Sequence, residues 1–258
     1  MQYVEPSEAC HLPGLRMALT VGTFAPWSEA AKSIFAVKGI PYVPVAQYAG
    51  KENDDLVGWT GRRNAPVAVY EDEQPREGWA EILLLAERLD RNVPLLPANA
   101  ADRALVFGLS HEICGEEGFG WTRRCMMFDR ILDAVRSGAE IEPGMRAMLR
   151  DYRITEATSA AAPSRVAGIL RMLAARLHAQ RSKGSPYLVG DRLTASDLHW
   201  ACFSAMVDPL PHAVNPMPEL VRRIYVDVGT VLGEAMDPIL FEHRDFIYAT
   251  HLTLPLDY

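Results

Sequence analysis

The stretch YLVGDRLTASD, residues 187–197, is the most informative part of this sequence. A polar loop leads to Thr194, and an apolar run follows closely, which is typical of a helix start. Thr194 can accept a hydrogen bond from the amide of Asp197, while the Asp197 carboxylate accepts one from the amide of Thr194. We therefore predict a capped helix from residue 195. The pair is structural, whether it is buried or lies on the surface.

Helical patterns continue on both sides of this stretch. Residues 100–242 consist of helical segments separated by loops, and residues 166–177 place their large apolar side chains on one helical face. We predict that this helix begins just after Pro163 and ends near Gly184.

The N-terminal half has a different pattern. Residues 15–21 alternate as a strand does, and residues 27–38 form an amphipathic helix that ends at Gly39. Residues 40–45 predict a second strand, whose prolines suit a sheet edge or a strand start. This order predicts a parallel βαβ unit with a right-handed crossover.

A hairpin is predicted after this unit. Pro66 leads into a third strand at residues 67–70, and an acidic turn precedes a short fourth strand near Arg76. Residues 80–89 are rich in leucine and predict a helix. The polar residues 47–64 show no regular pattern, so we expect an irregular segment there.

Two prolines between residues 92 and 97 interrupt any helix and separate the two halves. We predict an N-terminal extension at 1–14, an α/β domain at 15–92, a linker at 93–99, an all-helical domain at 100–240, and a tail at 241–258 that packs on the body.

Composition narrows the class of function. The chain has 258 residues, a net charge of -7 and 49% apolar residues, which is an ordinary balance for a globular protein. The acidic balance disfavours nucleic acid and anionic membranes as partners. No apolar run approaches the ~20 residues that cross a bilayer, and residues 1–14 do not resemble a secretion signal. We expect a cytoplasmic protein.

The spacing of the cysteines and histidines does not match a metal-binding or redox motif. The four cysteines are far apart in sequence, and Cys10 alone is expected to be exposed. The histidines lack metal-ligand spacing, and His199 beside Trp200 is expected to be a packed histidine.

The order of these elements resembles that of the cytosolic glutathione transferases. Three local motifs carry the resemblance: APWS at 25–28 leading to KGIPY at 38–42, NAPV at 64–67, and the capped helix start at 187–197. The resemblance implies an α/β thioredoxin-like N-terminal domain followed by an all-α domain, the glutathione transferase fold. It also implies glutathione as cosubstrate and a homodimer.

The catalytic position departs from the family. The residue that matches the catalytic serine or cysteine is Ala25, which has no group that can donate to a thiolate. The helix start at Pro26 and Trp27 supplies a dipole. Thr23 and Ser28 are the candidate catalytic hydroxyls. Each has a structural alternative, because Thr23 can satisfy its own turn and Ser28 can cap the helix.

The resemblance also implies the glutathione-binding residues. A cis bond before Pro66 would present the backbone of Ala65 to the cysteinyl part, although a trans proline at a strand start is the simpler alternative. Glu77 and Gly78 match the pair that holds the γ-glutamyl group, with the family's serine replaced by glycine. The cations near the glycyl carboxylate are Lys51, Arg62 and Arg63, of which we assign Arg63 to the site.

Apolar residues of both halves are expected to form a pocket between the domains for a second, small hydrophobic molecule, although most of them are expected to be core. These candidates are Trp27, Ile113, Phe119, Trp121, Met126 and Met127. Two functions therefore stay open: a glutathione-dependent transferase, or a noncatalytic protein of this fold that binds a ligand or a partner protein.

Overall fold

A four-stranded mixed sheet organises the first half of the chain. The computed structural model describes residues 1–141 and 143–258, apart from the side chain of residue 130. The strands are β1 (Leu15–Thr20), β2 (Val43–Gln47), β3 (Val67–Tyr70) and β4 (Arg76–Glu77). Their order is β2-β1-β3-β4, with β1 parallel to β2 and the other pairs antiparallel. The predicted parallel pair and hairpin are confirmed, and the proline-containing β2 borders the sheet.

Four helices accompany this sheet: α1 (Pro6–Ala9), α2 (Pro26–Val37), α3 (Asp54–Thr60) and α4 (Gly78–Leu89). Helix α2 connects β1 to β2, as the pattern predicts. Helix α3 lies in the segment that was expected to be irregular. Asp54 and Asp55 favour its positive N-terminal end, and Leu56 is its one buried apolar residue. A single buried leucine has no period, so the helix left no pattern in the sequence.

The second half is helical. Its helices are α5 (Ala100–Cys114), α6 (Phe119–Met127), α7 (Asp129–Arg136), α8 (Pro143–Asp151), α9 (Glu156–Arg181), α10 (Ala195–Phe203), a 3-10 turn (Ser204–Met206), α11 (Glu219–Val226), α12 (Gly229–Gly233) and α13 (Pro238–His251). Within the described residues, no helix has the length and apolar character that a membrane span needs.

Helix α9 begins earlier than the sequence predicts. It was expected to start after Pro163, but Pro163 lies inside it. The true cap is Thr155, whose hydroxyl accepts from the amide of Thr158 at 3.2 Å. The residues between this cap and Pro163 are mostly small, and they continue the helix although the proline removes one backbone hydrogen bond.

Helix α10 begins with the predicted capping pair. The Asp197 carboxylate accepts from the amide of Thr194 at 2.8 Å and from its hydroxyl at 2.7 Å. It also accepts from the amide of Leu188 at 2.7 Å, and it lies 3.2 Å from the imidazole of His243. Because Asp197 is fully buried, this carboxylate fixes the preceding loop and α13 as well as the helix start.

One hydrophobic core runs through both halves. Met17 and Phe35 of the sheet half belong to the same buried cluster as Leu170 and Trp200 of the helical half. The connection between the halves is also held by polar contacts, since Glu87 accepts from Lys38 at 2.8 Å and from the amide of Leu95 at 2.9 Å. The domain boundaries at 92 and 100 remain predictions, because the core is continuous across them.

Both end segments lie against the body. Val4 pairs in parallel with Val45 of β2. The predicted start of the tail, residue 241, falls inside α13. After α13, the amide of Leu256 donates to the carbonyl of Val214 at 2.8 Å, and the Tyr258 hydroxyl donates to Asn215 at 2.7 Å.

Candidate ligand-binding cavity

A cavity of about 780 Å³ lies between the two halves of the molecule. Its sheet-side wall includes Thr23, Ala25, Gln47, Lys51, Arg63 and Ala65. Its helical-side wall includes Arg124, Met126, Met127, Met148, Tyr152 and Ile224. Polar and cationic groups therefore face a wall that is mostly apolar, an arrangement typical of small-molecule sites.

The N-terminus of α2 borders this cavity. Ala25 is its N-cap in extended conformation, and no side chain caps the helix. Pro26 occupies the first helical position and has no amide hydrogen. The amides of Trp27 and Ser28 belong to the first turn, where no earlier residue of the helix can accept from them. The positive end of the helix dipole therefore lies at the wall that Ala25 forms.

The two candidate hydroxyls are placed differently. Thr23 lines the cavity, and its hydroxyl has no hydrogen-bond partner among the described residues. Ser28 is buried outside the cavity lining, where it accepts from the Thr20 amide at 3.2 Å and contacts the Thr20 hydroxyl at 3.4 Å. Ser28 therefore fastens α2 to the end of β1, which neither sequence alternative anticipated.

Ala65 and Pro66 lie at the entry to β3. The bond between them is cis, as predicted. Ladder pairing of β3 with β1 begins at Val67, opposite Ala18, so Ala65 lies beyond the ladder and at the cavity wall. Pro66 is buried behind Ala65.

Glu77 and Gly78 are not among the residues that line the cavity. The Glu77 carboxylate pairs with Arg62 at 2.7 Å, and the Glu77 amide donates to Glu81 at 3.0 Å. Gly78 has a φ of +74°, a conformation that costs other residues about 1 kcal/mol or more. Glycine at this position adopts this backbone conformation without that cost.

Residues that line the cavity also form a contact between the two halves. Arg63 forms an ion pair and hydrogen bond with Asp151 at the end of α8. Gly144 of α8 packs directly on the backbone of Gly50, leaving no room for a Cβ atom. Lys51 lies beside this contact, exposed and without an ion pair in the described part of the chain.

The predicted acceptor residues divide between wall and core. Trp27, Met126 and Met127 line the cavity. Ile113 and Phe119 are fully buried in the core, and Trp121 packs against Tyr152 with ring centroids 4.8 Å apart.

Two adjacent arginines of α6 were missed in the sequence. Arg123 is 2% exposed, and it donates to the carbonyls of Met206, Ile224, Tyr225 and Asp227. Burial lowers the pKa of Arg123 to about 10. The Arg124 guanidinium lies over the Trp27 ring at 5.1 Å and over the Tyr152 ring at 5.2 Å. The sequence signal that could have identified them is the occurrence of two neighbouring arginines in a largely apolar helix.

Comparison with known proteins shows which solved structures share this architecture. No protein-family model and no curated protein sequence matches the chain. Solved structures do match: a glutathione S-transferase domain-containing protein from Marinobacter aquaeolei VT8 is 14% identical, with TM-score 0.63 over 91% of this chain and 98% of that one. A glutathione S-transferase from Methylobacillus flagellatus KT, solved with glutathione bound, is 15% identical, with TM-score 0.58 over 91% and 94%.

A glutathione S-transferase from Xanthobacter autotrophicus Py2 is 18% identical, with TM-score 0.57 over 93% of this chain and 96% of that one. The likeness covers nearly the whole length of each of these proteins, and it extends over both the sheet and the helical half. The chain therefore has the glutathione transferase fold: a thioredoxin-like sheet domain followed by a helical domain. The resemblance seen in the sequence is confirmed at the level of the fold.

Proposed function

We propose that this protein binds glutathione at the sheet-side wall of the cavity and conjugates it to a small hydrophobic electrophile. The observation that carries the proposal is the composition of this wall: the open N-terminus of α2, the Ala65 backbone, and the cations Lys51 and Arg63 line one cavity. Glutathione carries a thiol and two carboxylates, so donors and cations suit it.

In the proposed reaction the α2 amides and the Thr23 hydroxyl hold the glutathione sulfur as a thiolate. A free thiol has a pKa of about 8.5, and one pKa unit corresponds to about 1.36 kcal/mol. A hydrogen bond to a charged group contributes ~1.5–3 kcal/mol, which corresponds to one to two pKa units. The thiolate then attacks the electrophilic carbon, a carbon–sulfur bond forms, and the leaving group departs with the electron pair of its bond.

Calorimetry with glutathione, together with turnover of 1-chloro-2,4-dinitrobenzene, tests this proposal. We expect Thr23→Val to bind glutathione and to lose most of its turnover. Thr230→Val, at an exposed residue of α12, should match the unmodified protein. Ala25→Ser should leave turnover nearly unchanged if Thr23 already activates the thiol. Full turnover in Thr23→Val would remove Thr23 from the reaction.

A noncatalytic function is the second candidate. It is favoured by Ala25, which offers no side-chain donor, and by Glu77, which pairs with Arg62 instead of facing the cavity. Absence of glutathione binding in the unmodified protein would select this second function. Binding without turnover, restored by Ala25→Ser, would identify a glutathione-binding protein that lacks its activator.

The assembly and location follow the same proposal. We propose a homodimer, as the resemblance implies, and a cytoplasmic location, as the sequence analysis expects. Light scattering on the purified protein should then give about twice the chain mass of 28.6 kDa. A mass equal to one chain would contradict the dimer.

A further inference from the structure

We infer that the helical side of the cavity binds an apolar molecule that carries a carboxylate, and that Arg124 is the residue that recognises it. This inference rests on the proposed function only in assigning the carboxylate ligand as the second substrate. Binding itself requires the cavity alone.

Charge around the cavity is opposite to that of the whole protein. Among the described side chains that line it, five are cationic and two are carboxylates, whereas the chain as a whole has a net charge of -7. The cations are Lys51, Arg63, Arg123, Arg124 and Arg223. A cavity of this sign attracts anions.

The arginines that line the cavity differ in what they already bind. Arg63 pairs with Asp151, and Arg123 donates to four backbone carbonyls. Arg124 has no ion pair within the described part of the chain, and its buried Nε has no hydrogen-bond partner there. A partly buried guanidinium without an acceptor is costly, and an anion would remove that cost.

The orientation of Arg124 is fixed by aromatic rings. Its guanidinium lies over both Trp27 and Tyr152, at 5.1 and 5.2 Å from ring centroids that are themselves 6.3 Å apart. Trp27 is itself held, because its indole nitrogen donates to the carbonyl of Cys114 at 2.9 Å. A guanidinium held in one plane presents parallel N–H groups, which match the two oxygens of a carboxylate.

The surrounding wall accepts the apolar part of such a ligand. Met126, Met127 and Met148 line the cavity near Tyr152 and Ile224. Methionine side chains are flexible and polarisable, so they adapt to flat aromatic surfaces of different shapes. The ligand class is therefore an aryl or alkyl carboxylate that fits within about 780 Å³ together with glutathione.

Calorimetry without glutathione tests this inference, using biphenyl-4-carboxylate and its neutral amide as probes. We expect the carboxylate to bind the unmodified protein at least about tenfold more tightly than the amide, as a charge-assisted pair should. Arg124→Gln should lose this preference while still binding the amide. Arg171→Gln, an exposed arginine of α9, should retain it.

Arg124→Lys provides a second variant that keeps the charge. Lysine does not present a planar pair of donors, so the preference for the carboxylate should fall at least about threefold. An unchanged preference in Arg124→Gln or in Arg124→Lys would overturn the inference. Loss of glutathione binding in Arg124→Gln with the carboxylate preference intact would also overturn it. If the unmodified protein binds no glutathione but Arg124→Gln loses the preference, the inference stands and the transferase proposal fails.

Discussion

His199 of α10 is fully buried in the helical half. Its Nδ1 lies 2.9 Å from the Ser110 hydroxyl, and its Nε2 has no hydrogen-bond partner among the residues that the structure describes. Burial lowers the pKa of His199 from 6.5 to about 3. The imidazole is therefore neutral in the folded protein at neutral pH, which confirms the packed histidine expected from the sequence.

This burial makes the stability of the protein depend on pH. The unfolded chain takes up a proton at His199 below about pH 6.5, while the folded chain does so only near pH 3. Above about pH 6.5 the burial of neutral His199 therefore takes nothing from the free energy of unfolding. As the pH falls below this value, the free energy of unfolding decreases by up to about 1.4 kcal/mol per pH unit. Between pH 6 and 5, the free energy of unfolding should fall by about 1 kcal/mol more than in His199→Gln. Parallel urea-unfolding results for the two proteins would contradict this.

Asp197 is the second residue with a testable structural role. Asp197→Ala leaves two donors, the amides of Leu188 and Thr194, without an acceptor in the core, whereas the Thr194 hydroxyl keeps its contact with the Ser196 hydroxyl at 2.8 Å. At about 1 kcal/mol or more for each amide, the free energy of unfolding should fall by roughly 2 kcal/mol. Asp191→Ala, in the exposed part of the same loop, is the control and should change stability little. Turnover per folded molecule should be unchanged, and equal stability of both variants would exclude this role.

Among single residues, those whose structural role depends on neighbours in the sequence were predictable. Thr194 and Asp197 are three residues apart, and the cis bond lies directly before the proline that marks β3. The contact of the Ala65 backbone with glutathione stays a prediction. The roles of Ser28 and Arg124 were not predictable, because their partners come from distant segments. Ser28 faces the end of β1, and Arg124 lies over the rings of Trp27 in α2 and of Tyr152 after α8. A local sequence pattern reveals neither contact.

At the scale of elements, α6 packs closely on two aromatic rings at Gly120. A Cβ atom added at Gly120 would overlap the ring of Phe203 and come within 3.2 Å of the Trp27 ring. Phe203 and Trp27 also pack on one another, with centroids 4.8 Å apart. The absence of a side chain at Gly120 therefore lets α6 lie against both α2 and α10.

Gly120→Ala should lower the free energy of unfolding by about 1–3 kcal/mol, because the neighbouring rings must shift. Gly108→Ala is a matched control in α5, where an added Cβ meets no atom within 4 Å. That substitution should raise stability by about 0.5–1 kcal/mol, since alanine favours a helix over glycine. Thermal unfolding of both variants gives the comparison. Stabilisation by both would mean that α6 does not pack this closely.

The elements themselves were largely predictable. The strands and α2 have periodic apolar residues and clear ends, and the structure places them within a few residues of the prediction. Helix α3 was missed because it buries one leucine, and α9 was started too late because a proline was given more weight than the Thr155 cap. Where helix ends depend on single side-chain hydrogen bonds, periodicity does not locate them.

At the scale of the whole molecule, the ion pair between Arg63 and Asp151 joins the two halves at the cavity wall. The proposed site requires Arg63 for a ligand carboxylate, and Asp151 competes for it. A partly exposed ion pair is worth at most about 1 kcal/mol, so the competition is modest and reversible. Ligand binding would then exchange a contact between the halves for a contact with the ligand.

Asp151→Asn should therefore strengthen glutathione binding by about two- to fivefold, because it removes the competing charge. Calorimetry measures the effect, and Asp133→Asn, an exposed carboxylate of α7, is the control. The double variant Arg63→Ala with Asp151→Asn should bind more weakly than Asp151→Asn alone. An affinity that does not change in Asp151→Asn would remove Arg63 from the glutathione site.

The pairing of Val4 with β2 also affects how the protein behaves at high concentration. Strand β2 borders the sheet, and an open border strand invites pairing with another molecule and so promotes aggregation. The Val4 amide donates to the Pro44 carbonyl at 2.9 Å, and the Val4 carbonyl accepts from the Ala46 amide at 2.9 Å. These two bonds occupy part of the border, and Pro44 has no amide hydrogen to offer. The N-terminal segment thereby shields part of the β2 edge against self-association.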